Sequence, residues 1–110
     1  MIIDKVDNAV IISQEKVVIK TFVANIKDRY NELQNENIIV NLFSFNSLQA
    51  NDILEFLTLS DAHKGGGKSF VLVTDKVVYD DVPDAIDVVP TLQEAHDLIE
   101  MEEIERDLGI

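Results

Sequence analysis

The chain contains no cysteine and no tryptophan, two histidines, two prolines, four glycines, and 9 basic against 21 acidic side chains in 110 residues. Without cysteine there is no disulfide, no thiolate metal site and no cysteine nucleophile, and a cytoplasmic address fits that composition. His63 and His96 stand alone, neither with a second histidine at metal-ligand spacing, so no metal is expected; a two-zinc hydrolase would need a His-x-His-x-Asp-His cluster. No apolar run approaches the ~20 residues that cross a bilayer. Met1-Ile-Ile-Asp-Lys5 is too short an apolar start to read as a signal peptide.

Positive charge is scarce where it would matter for nucleic acid. The net charge is −12: residues 1–68 hold 7 basic and 9 acidic side chains, and residues 69–110 hold 2 basic and 12 acidic. Such a field repels a phosphate backbone and an anionic membrane surface, which excludes nucleic acid and membrane as expected partners. It attracts a basic protein, although an acidic surface also serves solubility alone.

What is present is 46% hydrophobic residues, enough for one globular domain over residues 1–110 that buries about two-thirds of its unfolded surface. Met1–Val6 and Ala9–Ser13, separated by Asp7-Asn8, predict a hairpin. Val18, Phe22, Ile26, Tyr30 and Leu33 predict a helix from a cap at Ser13 or Gln14 to about Asn35, its other face carrying Lys16, Lys20, Lys27 and Arg29. Residues 38–42 and 69–74 are nearly continuous apolar runs, the pattern of strands covered on both faces. Between them a helix over residues 53–63 should end at Lys64-Gly-Gly-Gly67. Val88-Val89 makes a short strand. Thr91-Leu-Gln-Glu94 is a capping box that opens a last helix, with Leu92, Ala95, Leu98, Ile99, Met101, Ile104 and Leu108 along one stripe. The fold class expected is α/β, a mixed sheet of four to five strands with helices packed on it.

Several stretches imitate chemistry. Gly65-Gly-Gly-Lys-Ser69 looks like the end of a phosphate loop, but the required first glycine is Ala62 and the segment leads into a strand. Asp80, Asp81, Asp84 and Asp87 lack the Asp-x-Asp-x-Asp-Gly spacing of a calcium loop. No Gly-x-Ser-x-Gly elbow is present. His63 is expected to sit on the negative end of its helix dipole, partly protonated, and His96 on a wet face. No cofactor is expected and the chain reads as no enzyme.

The segment Asn37–Leu57, in which a buried strand passes through a polar loop into a helix start, resembles the switch region of STAS domains, the modules of anti-sigma factor antagonists and sulfate transporters. Residues 88–95 are similar to the closing strand, capped turn and helix of the same family. The resemblance implies a STAS-like single domain, with Asn41 where those proteins place an Asp and Gln49-Ala50-Asn51 where they place Asp-Ser-Ser or Asp-Ser-Thr. Ala50 has no hydroxyl to phosphorylate, so the phosphoswitch is expected to be degenerate, with Ser44 and Ser47 as substitutes to be tested. One departure is visible: Lys76–Ile86 is too short and acidic for the full helix that STAS domains carry there.

The resemblance implies a non-catalytic regulatory module that docks a protein, such as an anti-sigma-type regulator, through Ser44, Asn46, Ser47, Gln49, Ala50, Asn51 and Asp52. Two alternatives stand beside it. One is a small structural protein using Leu98, Met101, Ile104 and Leu108 for a weak homodimer or a basic partner, because the stripe over Met101–Ile110 outruns a small sheet. The other is a small-anion site at the amides of residues 49–52.

Overall fold

In the computed structural model, which describes residues 1–109, β1 (Ile2–Val6) and β2 (Ala9–Ser13) pair antiparallel across Asp7-Asn8. Asp7 takes the left-handed φ of 51° that such a tight turn needs. From β2 onward the sheet is parallel: β2 pairs with β3 (Ile38–Asn41), β3 with β4 (Phe70–Val73) and β4 with β5 (Asp87–Val89), in the spatial order β1-β2-β3-β4-β5. Right-handed crossovers between successive parallel neighbours put their connecting helices on one face. The helix after β5 takes the other.

The alternation of side chains along the strands follows this division. Val10, Ile12, Ile38, Val40, Phe70 and Leu72 pack with Phe22, Ile26, Leu33, Ile53 and Phe56 in the larger core. Ala9, Ile39, Val71 and Val73 pack with Ala95 and Ile99 in the smaller one. This is why β3 and β4 are apolar at every position that is covered.

The first predicted helix is shorter and broken. Ser13 is held in β2 opposite Ile2, and Lys16 has a φ of 59°, which no right-handed helix accepts. The helix α1 therefore begins at Ile19 (Ile19–Asp28) without a side-chain cap, and Gln14 instead accepts a hydrogen bond from Asn25 at 2.9 Å. At Arg29 the bonds tighten to three-residue spacing, Arg29 N–H to Ile26 O and Glu32 N–H to Arg29 O, and α2 (Tyr30–Leu33) follows. Lys16 thus lies off the helix. The second predicted helix is likewise two, α3 (Ala50–Leu54) and α4 (Leu57–Gly65), with a tightened turn at Glu55 and Phe56 that brings the Phe56 ring into the core.

After α4 the left-handed residue is Gly67, with a φ of 86°. The link between β4 and β5 holds a single 3₁₀ turn, Tyr79–Asp81, as its length and acidity predict. Then α5 (Leu92–Asp107) starts at Thr91, whose Oγ1 accepts from Glu94 N–H at 3.1 Å. The other half of the capping box differs from expectation. The Glu94 carboxylate accepts from the Thr91 hydroxyl at 3.2 Å in place of the backbone amide.

Candidate docking site

The predicted loop lies at the carboxyl ends of the parallel strands, where open α/β sheets place their binding surfaces. Its local structure is built by side chains. Asn41 Oδ1 accepts from Phe43 N–H at 2.9 Å, turning the chain out of β3. Ser44 Oγ then donates to Gln14 O at 2.9 Å and ties this loop to the one after β2. Phe45 turns inward and stacks on Phe22 with ring centres 5.9 Å apart, and Leu48 is buried. With those two residues anchored, Asn46, Ser47, Gln49 and Asn51 are left exposed.

The predicted docking residues are thus brought together on one braced loop, in two chemical states. Ser44 is committed to its tie, whereas Asn46 and Ser47 face outward. At the start of α3, Asp52 Oδ2 accepts from Gln49 N–H at 2.9 Å. That bond places a carboxylate on the amides proposed for a small anion, so the arrangement opposes an anionic ligand there. Ala50 is half-buried.

Sequence reasoning missed Phe43. It is 42% exposed and lines an open groove of about 610 Å³ with Met1, Ile2, Ser13, Gln14, Asn41 and Ser44. The available signal was the spacing of Phe43 and Phe45 after a strand: residues two apart with one turned in by stacking, and one left for the surface.

The interface residues predicted on the last helix divide. Leu98 is half-buried against the smaller core, on the flank of the face that Ala95 and Ile99 turn to the sheet. Met101, Ile104 and Leu108 are 52%, 54% and 69% exposed and point away from the sheet. The end of the predicted strip, Ile110, lies outside the described residues.

Both histidines depart from expectation. His63 is buried between Tyr30 and the Glu36 carbonyl, because the last turn of α4 packs on β4 and its ring lies against Phe70. Burial of the ring holds it below its ordinary value of 6.5, against the opposing bond to Glu36, and nearby Lys68 reinforces the effect. That shift favours the neutral ring and opposes the charge expected at this helix end. His96 is half-buried, and its Nδ1 donates to Asn8 Oδ1 at 2.7 Å while Asn8 Nδ2 donates to His96 O at 3.2 Å.

Arg106 also turns inward, donating to Ser69 Oγ at 3.2 Å and Asn37 Oδ1 at 3.4 Å. Among the described residues, no three His, Cys, Asp or Glu side chains come together as a metal site, and no helix is long and apolar enough to cross a membrane.

No protein-family model matches the chain, and no curated protein matches its sequence. Solved structures match in shape. A serine-to-glutamate variant of RsbS from Moorella thermoacetica aligns with a TM-score of 0.65 and 16% identity over 89% of this chain and 95% of that one. The NMR structure of the protein TM1081 aligns with a TM-score of 0.64 and 19% identity over 89% of this chain and 86% of that one. RsbS has a STAS-like fold. The five-stranded mixed sheet, with helices on both faces and a polar loop at the carboxyl end of its central strand, is a STAS-like fold.

Proposed function

We propose that the chain is a non-catalytic, cytoplasmic regulatory module that docks another protein through the braced loop 44–52, with its phosphoswitch degenerate. The observation that supports this most is the loop itself. Phe45 and Leu48 anchor it, Asn46 and Ser47 stand exposed with side chains that make no hydrogen bond among the described residues, and Phe43 supplies an apolar neighbour. A preformed surface of mixed polarity suits protein recognition, since little ordering entropy is lost on docking. The reading also rests on likeness to RsbS, an anti-sigma factor antagonist, and an anti-sigma-type regulator is the partner class it favours.

Loss of the switch is read from Ala50, whose methyl group replaces a hydroxyl, and from Asn41, whose amide is engaged with Phe43 N–H. The test is photocrosslinking in the native host. A crosslinker at Asn46 or Ser47 should capture one discrete protein, and the same crosslinker at Asp7, on the hairpin turn at the opposite end of the sheet, should not. Equal capture at both positions would remove the loop as the docking face.

A further inference from the structure

On α5 the inward face is defined by Ala95 and Ile99, which are buried, and by Arg106, whose guanidinium reaches back to Ser69 and Asn37. Met101, Ile104 and Leu108 lie about 150° around the helix from that face, taking 3.6 residues per turn. They form one apolar strip aimed straight into solvent. Glu100 and Asp107 flank it on one side and Glu105 on the other, all exposed, and none takes part in an ion pair among the described residues. The only cation of the helix is turned away from them. Like charges three and four residues apart repel, and carboxylates near a helix C-terminus also oppose the dipole, so this surface holds an uncompensated negative potential around an uncovered apolar strip.

We propose that this outward face of α5 over residues 101–108 docks a basic amphipathic helix of another protein. Its apolar stripe would cover Met101, Ile104 and Leu108, and its lysines or arginines would meet the flanking carboxylates on both sides. A symmetric pairing of two copies would set Glu100, Glu105 and Asp107 against their equivalents, which argues for a cationic partner and against self-association. The surface stands apart from loop 44–52: Arg106 fixes this end of α5 near Ser69 and Asn37, at the amino ends of β4 and β3.

The test uses the full chain and a synthetic peptide of ~18 residues, about five helical turns. It carries leucine at i, i+3, i+4 and i+7 spacing and lysine on both flanks. Amide chemical shifts should move over residues 101–108, and binding should weaken as salt is added. Ile104→Ser with Leu108→Ser should weaken binding at least about tenfold, and Glu100→Gln with Glu105→Gln should weaken it severalfold. A peptide of the same composition scrambled to break the stripe should bind at least about tenfold more weakly. Equal binding of the scrambled peptide, shifts confined to residues 44–52, or concentration-dependent dimerisation lost in the Ile104→Ser, Leu108→Ser variant would each overturn the proposal. So would unfolding of that variant, because it would place the two side chains in the core.

Discussion

The Tyr30 hydroxyl lies 2.6 Å from His63 Nδ1, and the Nε2 of the same ring lies 2.7 Å from the Glu36 carbonyl oxygen. A carbonyl only accepts, so Nε2 carries the proton and Nδ1 accepts from Tyr30. One neutral ring therefore joins α2, the segment before β3 and the end of α4.

This geometry sets a pH dependence. Burial lowers the folded-state value of His63 from its ordinary 6.5, so just below pH 6.5 the unfolded chain binds the proton and the folded chain does not. Its contribution to stability is therefore full above pH 6.5 and declines as pH falls from there to the folded value. Urea denaturation across that range should show falling stability, and His63→Gln should flatten the slope. Tyr30→Phe should cost about 1 kcal/mol by removing one hydrogen bond. An unchanged slope in the His63 variant would assign the acid sensitivity elsewhere.

Two neighbouring glycines should respond to alanine with opposite signs. Gly65 is the last residue of α4, and a Cβ added there meets nothing within 4 Å, so Gly65→Ala should stabilise by up to about 1 kcal/mol through helix propensity. Gly67 has equally open space but a φ of 86°, so Gly67→Ala should destabilise by about 1 kcal/mol through backbone strain alone. Thermal unfolding of the two variants reads both. If Gly67→Ala is neutral, the C-cap geometry is not the feature that ends α4.

Asn37 carries more of the fold than its place before β3 suggests. Its Oδ1 accepts from Ser69 N–H at 2.9 Å, its Nδ2 donates to Asn8 O at 2.9 Å, and Arg106 approaches the same Oδ1. Asn37 is buried, so Asn37→Ala leaves the Ser69 amide and the Asn8 carbonyl without their partner. A loss of about 2–3 kcal/mol is expected, given roughly 1–3 kcal/mol for each orphaned buried group. Arg106→Ala should cost about 1 kcal/mol or less, because its contacts are longer and the residue is exposed. Denaturant titration distinguishes these magnitudes, and equal losses would mean that the arginine, not the asparagine, organises this corner.

The legible parts of the fold were those decided locally. Residues 38–42 and 69–74 announced buried strands through unbroken apolar runs, and Thr91 with Glu94 marked the start of α5, because a cap and a periodicity are properties of a few adjacent residues. The helix breaks at Arg29 and at Phe56 were not legible, since the apolar spacing continues through both. Tertiary packing of Tyr30 on His63 and of Phe56 on Phe22 lies beyond any local pattern. The histidines failed for the same reason: Tyr30, Glu36 and Asn8 are far from them in sequence and become neighbours only when the sheet forms. Within the candidate site the polar loop was visible, but its bracing by Phe45 and the exposure of Phe43 depended on which of two phenylalanines found Phe22.

The phosphoswitch can be tested directly on protein purified from its own host. Ala50 has no oxygen to modify. Ser44 uses its hydroxyl proton to hold Gln14 O at 2.9 Å, and a phosphate there would remove that donor and set a dianion in the groove that Glu15 also lines, in a chain that already carries −12. Ser47 is exposed, and its hydroxyl makes no such tie among the described residues. Asn41 carries an amide, which is a poorer magnesium ligand than a carboxylate. Intact-mass and peptide mass spectrometry should find no stoichiometric phosphate on either serine. Stoichiometric phosphate at Ser44 or Ser47 would show that the loop still switches with a displaced hydroxyl.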